Sequence, residues 1–297
     1  MKLKYISTPT DLGGTAVPGC GTIHESEITP TLTKLSDDLE MPFDFNYYTL
    51  GSTGKREYSG DIDLVVDDTW WGHGIPTFRE NLEETFGKEN VARNGDMLHL
   101  KYPIVMYKED LQEAQPRTGF VQIDFMFGDA SWKQFYHYSD AESEYKGAHR
   151  NLMLAAICSE LNTYHPLEYS SPDTVLVDMS KPRTIVRWKW GSNGFIQVNR
   201  HSVKDKHGHW KHKQEDVVLA GPYTDPQTIA RVLFPSAQNA DVFKSMETLM
   251  QAVKDNYGMV DCERVWKRAA GNFYDWPQGK LFEYPPEIAA YLPINDK

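Results

Sequence analysis

Hydrophobic positions along the chain recur in two rhythms. Between residues 29 and 41, TPTLTKLSDDLEM, Leu32, Leu35 and Leu39 fall three and four apart behind a Thr-Pro start, which predicts a first helix. FNYYTL, residues 45–50, reads as a strand running into a Gly51-Ser52 turn, and DIDLVV, residues 61–66, as a second strand after a polar loop. Residues 75–86, with Pro76 at the head and Gly87 at the stop, predict a surface helix. MLHLKYPIV and FVQIDFMF predict two further strands. SWKQFYHYS and ESEYKGAHRNLMLAAICSELNTY predict two more helices, the second with Leu152, Ala155, Ala156 and Cys158 on its apolar face.

A break is expected between Pro166 and Pro172. After it, RTIVRWKWGSNGFIQVNRHS reads as a hairpin turning at Ser192-Asn193-Gly194, and HWKHKQEDVVLAGPY as one or two more strands. Helices are predicted over 226–234, 241–257 and 262–273. The order of elements gives an α/β (α+β) fold in three parts: an irregular Gly-, Thr- and Pro-rich arm over 1–24, a mixed sheet with flanking helices over 25–168, and a smaller β-then-α domain over 169–297. There is no internal repeat and no low-complexity tract.

At 297 residues the chain suits two domains. No apolar run approaches the roughly 20 residues that cross a bilayer, so no membrane partner is expected. The first residues turn polar before the apolar core of a secretory signal can develop, and the expected compartment is the cytoplasm. Cys20, Cys158 and Cys262 are odd in number and far apart, which fits neither a disulfide framework nor a cysteine-rich zinc site. The formal net charge of -11 would repel a polyanion taken as a whole, but the charge is unevenly distributed. Nothing in the pattern sets an oligomeric state.

The chemistry concentrates in LGSTGKREYSGDIDLVV. Side chains two apart on a strand point the same way, so Asp61 and Asp63 share one face while Ile62 and Leu64 turn to the core. Asp124, between Ile123 and Phe125 in an apolar strand, repeats the pattern, and a lone charge there is costly without a compensating cation. Three carboxylates on neighbouring strands suit two hard divalent ions, Mg2+ or Mn2+, which clamp the attacking and leaving oxygens of an in-line displacement. The turn supplies the other half: glycine lets backbone approach phosphate oxygens, Ser52 and Ser59 offer hydroxyls, and Lys55 or Arg56 can neutralise a leaving pyrophosphate. A Walker phosphate loop is excluded, because Thr49 stands where its first glycine is needed and Arg56 where Ser or Thr must follow the lysine.

The succession of Gly-Ser, a gap of about ten residues, Asp-x-Asp and a distant third Asp resembles the DNA polymerase beta-like nucleotidyltransferase superfamily. GSTGKREYSGDID is especially similar to the fingerprint of family X DNA polymerases. The resemblance implies a palm-like mixed sheet. It implies Asp61 and Asp63 as ligands of both metals, Asp124 as ligand of the catalytic metal, and Gly51, Ser52, Lys55, Ser59 and Gly60 as holders of a nucleoside triphosphate. The chain departs from the pattern in a loop one residue shorter, in Gln122 where an arginine is expected, and in lacking a helix-hairpin-helix motif. Lys146 and Arg150, four apart on a predicted helix, can reach one triphosphate together, and the helix can equally be a solvated basic face. Tyr138 and Ser139 lie just ahead as contacts to base or sugar.

From Lys181 to Lys213 basic residues predominate, with Lys189, Arg200, Lys204, Lys206 and Lys211 among them and Trp188, Trp190, Phe195 and Trp210 interleaved. Basic groups serve phosphates and rings serve bases, the composition of a surface for single-stranded nucleic acid, or of a solvated hairpin with buried tryptophans. His207, His209 and His212 near Asp205 read as a polar tip more readily than as a metal cluster. The expected activity is transfer of a nucleoside monophosphate from an NTP or dNTP to an acceptor hydroxyl. A nucleic-acid 3′ end leads as acceptor, ahead of a small molecule, a second nucleotide or a protein hydroxyl. A non-catalytic nucleic-acid-binding module on a dead transferase fold is the rival of a different class.

Overall fold

The computed structural model describes residues 14, 16–67, 69–108, 113–145, 147–164, 184–204, 210–274 and 284–292. The chain forms two compact units, Met1–Ala141 and Glu142–Lys297.

The first unit holds a four-stranded mixed sheet in the order β3 (Ile62–Val66), β6 (Glu113–Phe127), β5 (Met97–Lys108), β4 (Val91–Asn94), with β3 parallel to β6 and the other pairs antiparallel. A two-stranded ribbon pairs β1 (Ile23–His24) with β2 (Tyr58–Ser59). Alternation sorts the sheet residues. Ile62, Leu64, Val66, Leu98, Leu100, Ile123 and Phe125 form the main core with Leu32, Leu35 and Leu39 of α1 (Glu25–Asp38) and Phe78 and Leu82 of α2 (Gly74–Phe86). The opposite face carries the acids.

Helix α1 begins four residues ahead of its predicted start. His24 caps it through Ser26 N, the Glu27 side chain returns to the His24 amide, and Pro30 falls inside the helix. Thr31 pins α1 to the sheet: its hydroxyl donates to the Val105 carbonyl and accepts from the Val105 amide at 2.9 Å, beside the irregularity between Pro103 and Val105. FNYYTL is not the predicted strand. Asp44 accepts from Asn46 N and winds Phe45–Tyr48 into a 3-10 turn, leaving a single antiparallel bridge between Thr49 and Leu64.

The unit closes with α3 (Ala130–Tyr136), capped by Asp129. In the second unit α4 (Gly147–Tyr164) and three antiparallel strands, β7 (Thr184–Gly191), β8 (Gly194–Lys204) and β9 (Trp210–Tyr223), precede α5 (Pro226–Leu233), α6 (Met246–Asn256), α7 (Met259–Tyr274) and α8 (Pro286–Ala289). The predicted hairpin is present, with Gly191 opposite Gly194. The fold is thus α/β, a mixed sheet with flanking helices in the first unit and, in the second, a helix, three antiparallel strands and further helices; the second unit opens with α4 and not with the expected strands. Among the described residues no helix is long and apolar enough to cross a membrane.

Candidate active site

The polar face of the first sheet is built in rows. Asp63 of β3 is the register partner of Asp124 on β6, and Asp124 in turn faces His99 on β5. The next row pairs Gln122 with Lys101. Neighbouring strands lie about 4.8 Å apart, so side chains in one row touch or nearly touch. Asp61, just ahead of β3, adds a third carboxylate. Burial, then the negative charges of Asp61 and Asp124, push the Asp63 carboxyl well above the usual carboxylate range. A small apolar cluster of Leu50, Val65 and Met126 lies farther along the same face.

The Gly-Ser turn is tied to the acids by backbone and by shape. Leu50 N donates to Asp63 O at 2.8 Å, and Asp63 N donates to Thr53 Oγ1 at 3.1 Å. Gly51 has a φ of 63°, and a β-carbon there would stand 2.8 Å from Asp63 Oδ2. Only glycine takes that conformation without strain and leaves the carboxylate room. Ser52, Lys55 and Arg56 are exposed on this loop. Ser59 is buried, and its hydroxyl accepts from Gly54 N at 3.3 Å, so it shapes the loop from within, beside Gly60. Lys55 reaches the segment that follows α3: its ammonium donates to the Ser139 carbonyl and lies 4.5 Å from the centre of the Tyr138 ring. A cleft of about 170 Å³ lined by Thr49, Leu50, Gly51, Thr53, Lys55, Gln134 and Tyr138 opens beside them.

Asp124 is held from two sides. His99 Nδ1 lies 2.7 Å and Gln122 Nε2 2.8 Å from the same oxygen, Oδ1. All three residues are buried. Ala16 N and Val17 N donate to Gln122 Oε1 at 2.9 and 3.2 Å, which brings the N-terminal arm onto the sheet face. Farther along the arm, Cys20 is half-buried. Burial raises its thiol pKa, the Lys101 charge opposes that rise and the Asp124 charge adds to it.

Sequence reasoning singled out neither His99 nor the arm. His99 and Lys101 alternate with Leu98 and Leu100, a period-two signal that places them on the face of the acids. The arm engages through backbone amides, which leave no trace in side-chain pattern.

The remaining sequence candidates lie in the second unit. Arg150 is buried, and its guanidinium donates to the Phe243 carbonyl at 2.9 Å. Lys146 and Lys206 lie outside the described residues, as do the side chains of Arg200, Lys204 and Lys211 and the residues Asp205, His207 and His209. Lys189 is exposed on β7. Trp188 stacks on Phe195 at 4.4 Å between ring centres, and Trp190 donates to Asn151 Oδ1 at 3.2 Å, so both indoles have packing roles.

Among the described residues no three His, Cys, Asp or Glu side chains converge into a ready-made metal site. The donor set still fits a hard cation: a buried carboxyl at Asp63, its pKa raised by burial and by the negative charges of Asp61 and Asp124, is relieved by a divalent ion beside it. Asp61, Asp63 and Asp124 are the residues that would hold it.

No protein-family model matches the chain, and no curated protein does. Among solved structures the chain is similar to polymerase beta of Leishmania infantum in a ternary P/T complex, at 12% identity and a TM-score of 0.35, over 74% of this chain and 76% of that one. A likeness that distant carries no argument about the reaction, which has to be read from the residues.

Proposed function

We propose that this protein is a metal-dependent nucleotidyltransferase that moves a nucleoside monophosphate from a triphosphate to an acceptor hydroxyl. The observation that carries the reading is the pairing of Asp63 with Asp124 on one sheet face, with the charge of Asp61 acting on Asp63 and the Gly51 backbone set against the Asp63 carboxylate. Acids held so close suit a site that works with cations in place.

Bound Mg2+ or Mn2+ would neutralise charge on the triphosphate and lower the pKa of the attacking hydroxyl. The chain's own residues do the rest. Gly51, with no side chain, admits phosphate oxygens to the turn, where the exposed Ser52 hydroxyl can donate to them. Lys55 and Arg56 supply positive charge for the departing pyrophosphate, and the Tyr138 ring beneath Lys55 offers a surface for base or sugar. Asp124, beside Asp63 on the neighbouring strand, would help hold the cation that activates the acceptor hydroxyl.

The test is incubation with α-labelled triphosphates, Mg2+ and four acceptors: single-stranded nucleic acid, a second nucleotide, small polyols and protein. Single-stranded nucleic acid comes first, because the β7–β9 region is rich in Lys and Arg. Label transfer to any of them, with equimolar pyrophosphate, supports the reading; none, with triphosphate bound or unbound, contradicts it.

A further inference from the structure

We propose that His99 and Gln122 form a positioning clamp on Asp124, and that the N-terminal arm sets the clamp through Gln122. The inference rests on the reading of Asp124 as the third acid of nucleotidyl transfer and adds how that acid is aimed.

Both hydrogen bonds to Asp124 end on Oδ1, from His99 Nδ1 at 2.7 Å and Gln122 Nε2 at 2.8 Å, and neither engages Oδ2. Two donors on one oxygen fix the torsion of a carboxylate. Residues one layer out that orient a metal-binding side chain act in this way.

The orientation of Gln122 is itself fixed. Its oxygen is taken by the Ala16 and Val17 amides at 2.9 and 3.2 Å, so the amide nitrogen must be the end that faces Asp124. Gly14 lies so close that a β-carbon there would stand 2.3 Å from Gln122 Cδ, so the glycine is what leaves the Gln122 side chain its place.

His99 gives the second line of argument. Its Nε2 is buried with no hydrogen-bond partner, and the ring's one hydrogen bond goes to Asp124. A packing position would be filled at less cost by an apolar side chain. The imidazole is accounted for by what it does to the carboxylate.

The experiment compares His99→Leu, Gln122→Leu and Asp124→Asn in the transfer assay on the full chain. The clamp predicts that the first two lower kcat roughly ten- to hundredfold while the KM for triphosphate stays within about twofold, with more Mg2+ needed for half-maximal rate. His99→Asn, whose amide nitrogen falls near the position of ring Nδ1, should recover most of the rate, and His99→Gln should not. That contrast decides the matter even if either Leu variant fails to fold.

For the arm, the double variant Ala16→Pro/Val17→Pro removes both amide donors. It should reproduce the loss in Gln122→Leu, add nothing when combined with it, and speed alkylation of Cys20 as located by peptide mass mapping. Wild-type kcat in His99→Leu and Gln122→Leu beside an inactive Asp124→Asn, equal rates in His99→Asn and His99→Gln, or additive losses from arm and Gln122 would each overturn the clamp. Full activity in Asp124→Asn would overturn the reading of the site beneath it.

Discussion

Asp63 and Asp124 stand side by side as register partners on parallel neighbouring strands, and the charge of Asp124 helps to raise the Asp63 pKa. A pair so placed weakens the metal-free fold whenever both are ionised. The raised pKa of Asp63 means that the fold favours its protonated form, so stability falls as pH rises from the ordinary carboxylate value near 4 up through the raised one. In a chelator, Asp63→Asn should therefore melt above the wild type at pH 8, and the gain should vanish as pH falls toward 4. Thermal melts across that range measure it; an Asp63→Asn protein that melts lower at pH 8 would contradict the crowding.

Gly51→Ala places a side chain at a φ of 63° and 2.8 Å from Asp63 Oδ2. A left-handed non-glycine residue costs about 1–2 kcal/mol. Displacement of the turn should also weaken triphosphate binding. Urea unfolding with nucleotide titration separates the two effects, and both are expected to fall together.

Lys55→Ala removes the ammonium that lies over Tyr138 and bonds the Ser139 carbonyl. Its expected effect is a higher KM for triphosphate, with Mg2+ dependence unchanged, because Lys55 is no ligand of the cation. Steady-state kinetics at several Mg2+ concentrations give the answer; an unchanged KM would remove Lys55 from the triphosphate site.

If Lys189, Arg200, Lys204, Lys206 and Lys211 track a single strand, each phosphate contact contributes roughly 0.7 to the slope of log affinity against log salt. Replacing three of them with Gln should flatten that slope by about two units and leave triphosphate binding unchanged. An unchanged slope would move the acceptor from nucleic acid toward a small molecule or a protein.

The face shared by Asp63 and Asp124 was legible because period-two alternation in DIDLVV and FVQIDFMF survives folding directly: strand residues keep their faces, and Ile62, Leu64, Ile123 and Phe125 are all in the core. FNYYTL misled because its aromatic, β-favouring composition loses to the Asp44 cap that winds it into a 3-10 turn. The start of α1 was placed late because histidine is outside the usual capping set and Pro30 falls within the helix. Gln122 was legible only as a residue in an otherwise apolar strand, two places ahead of Asp124. Its partners are the Asp124 carboxylate and two backbone amides of an arm more than a hundred residues away, a relation that no local pattern encodes.

The central claim is tested most directly by Mg2+-dependent pyrophosphate release from labelled triphosphate, matched by label on the acceptor supplied with it, measured for the wild type and for Asp61→Asn, Asp63→Asn and Asp124→Asn, each checked for folding by its melt. The account predicts release by the wild type that stops in EDTA and is lost in Asp61→Asn and Asp63→Asn. In Asp124→Asn triphosphate should still bind while turnover collapses. Near-wild-type release from Asp61→Asn or Asp63→Asn with Mg2+ present would show that the three acids are not the catalytic centre.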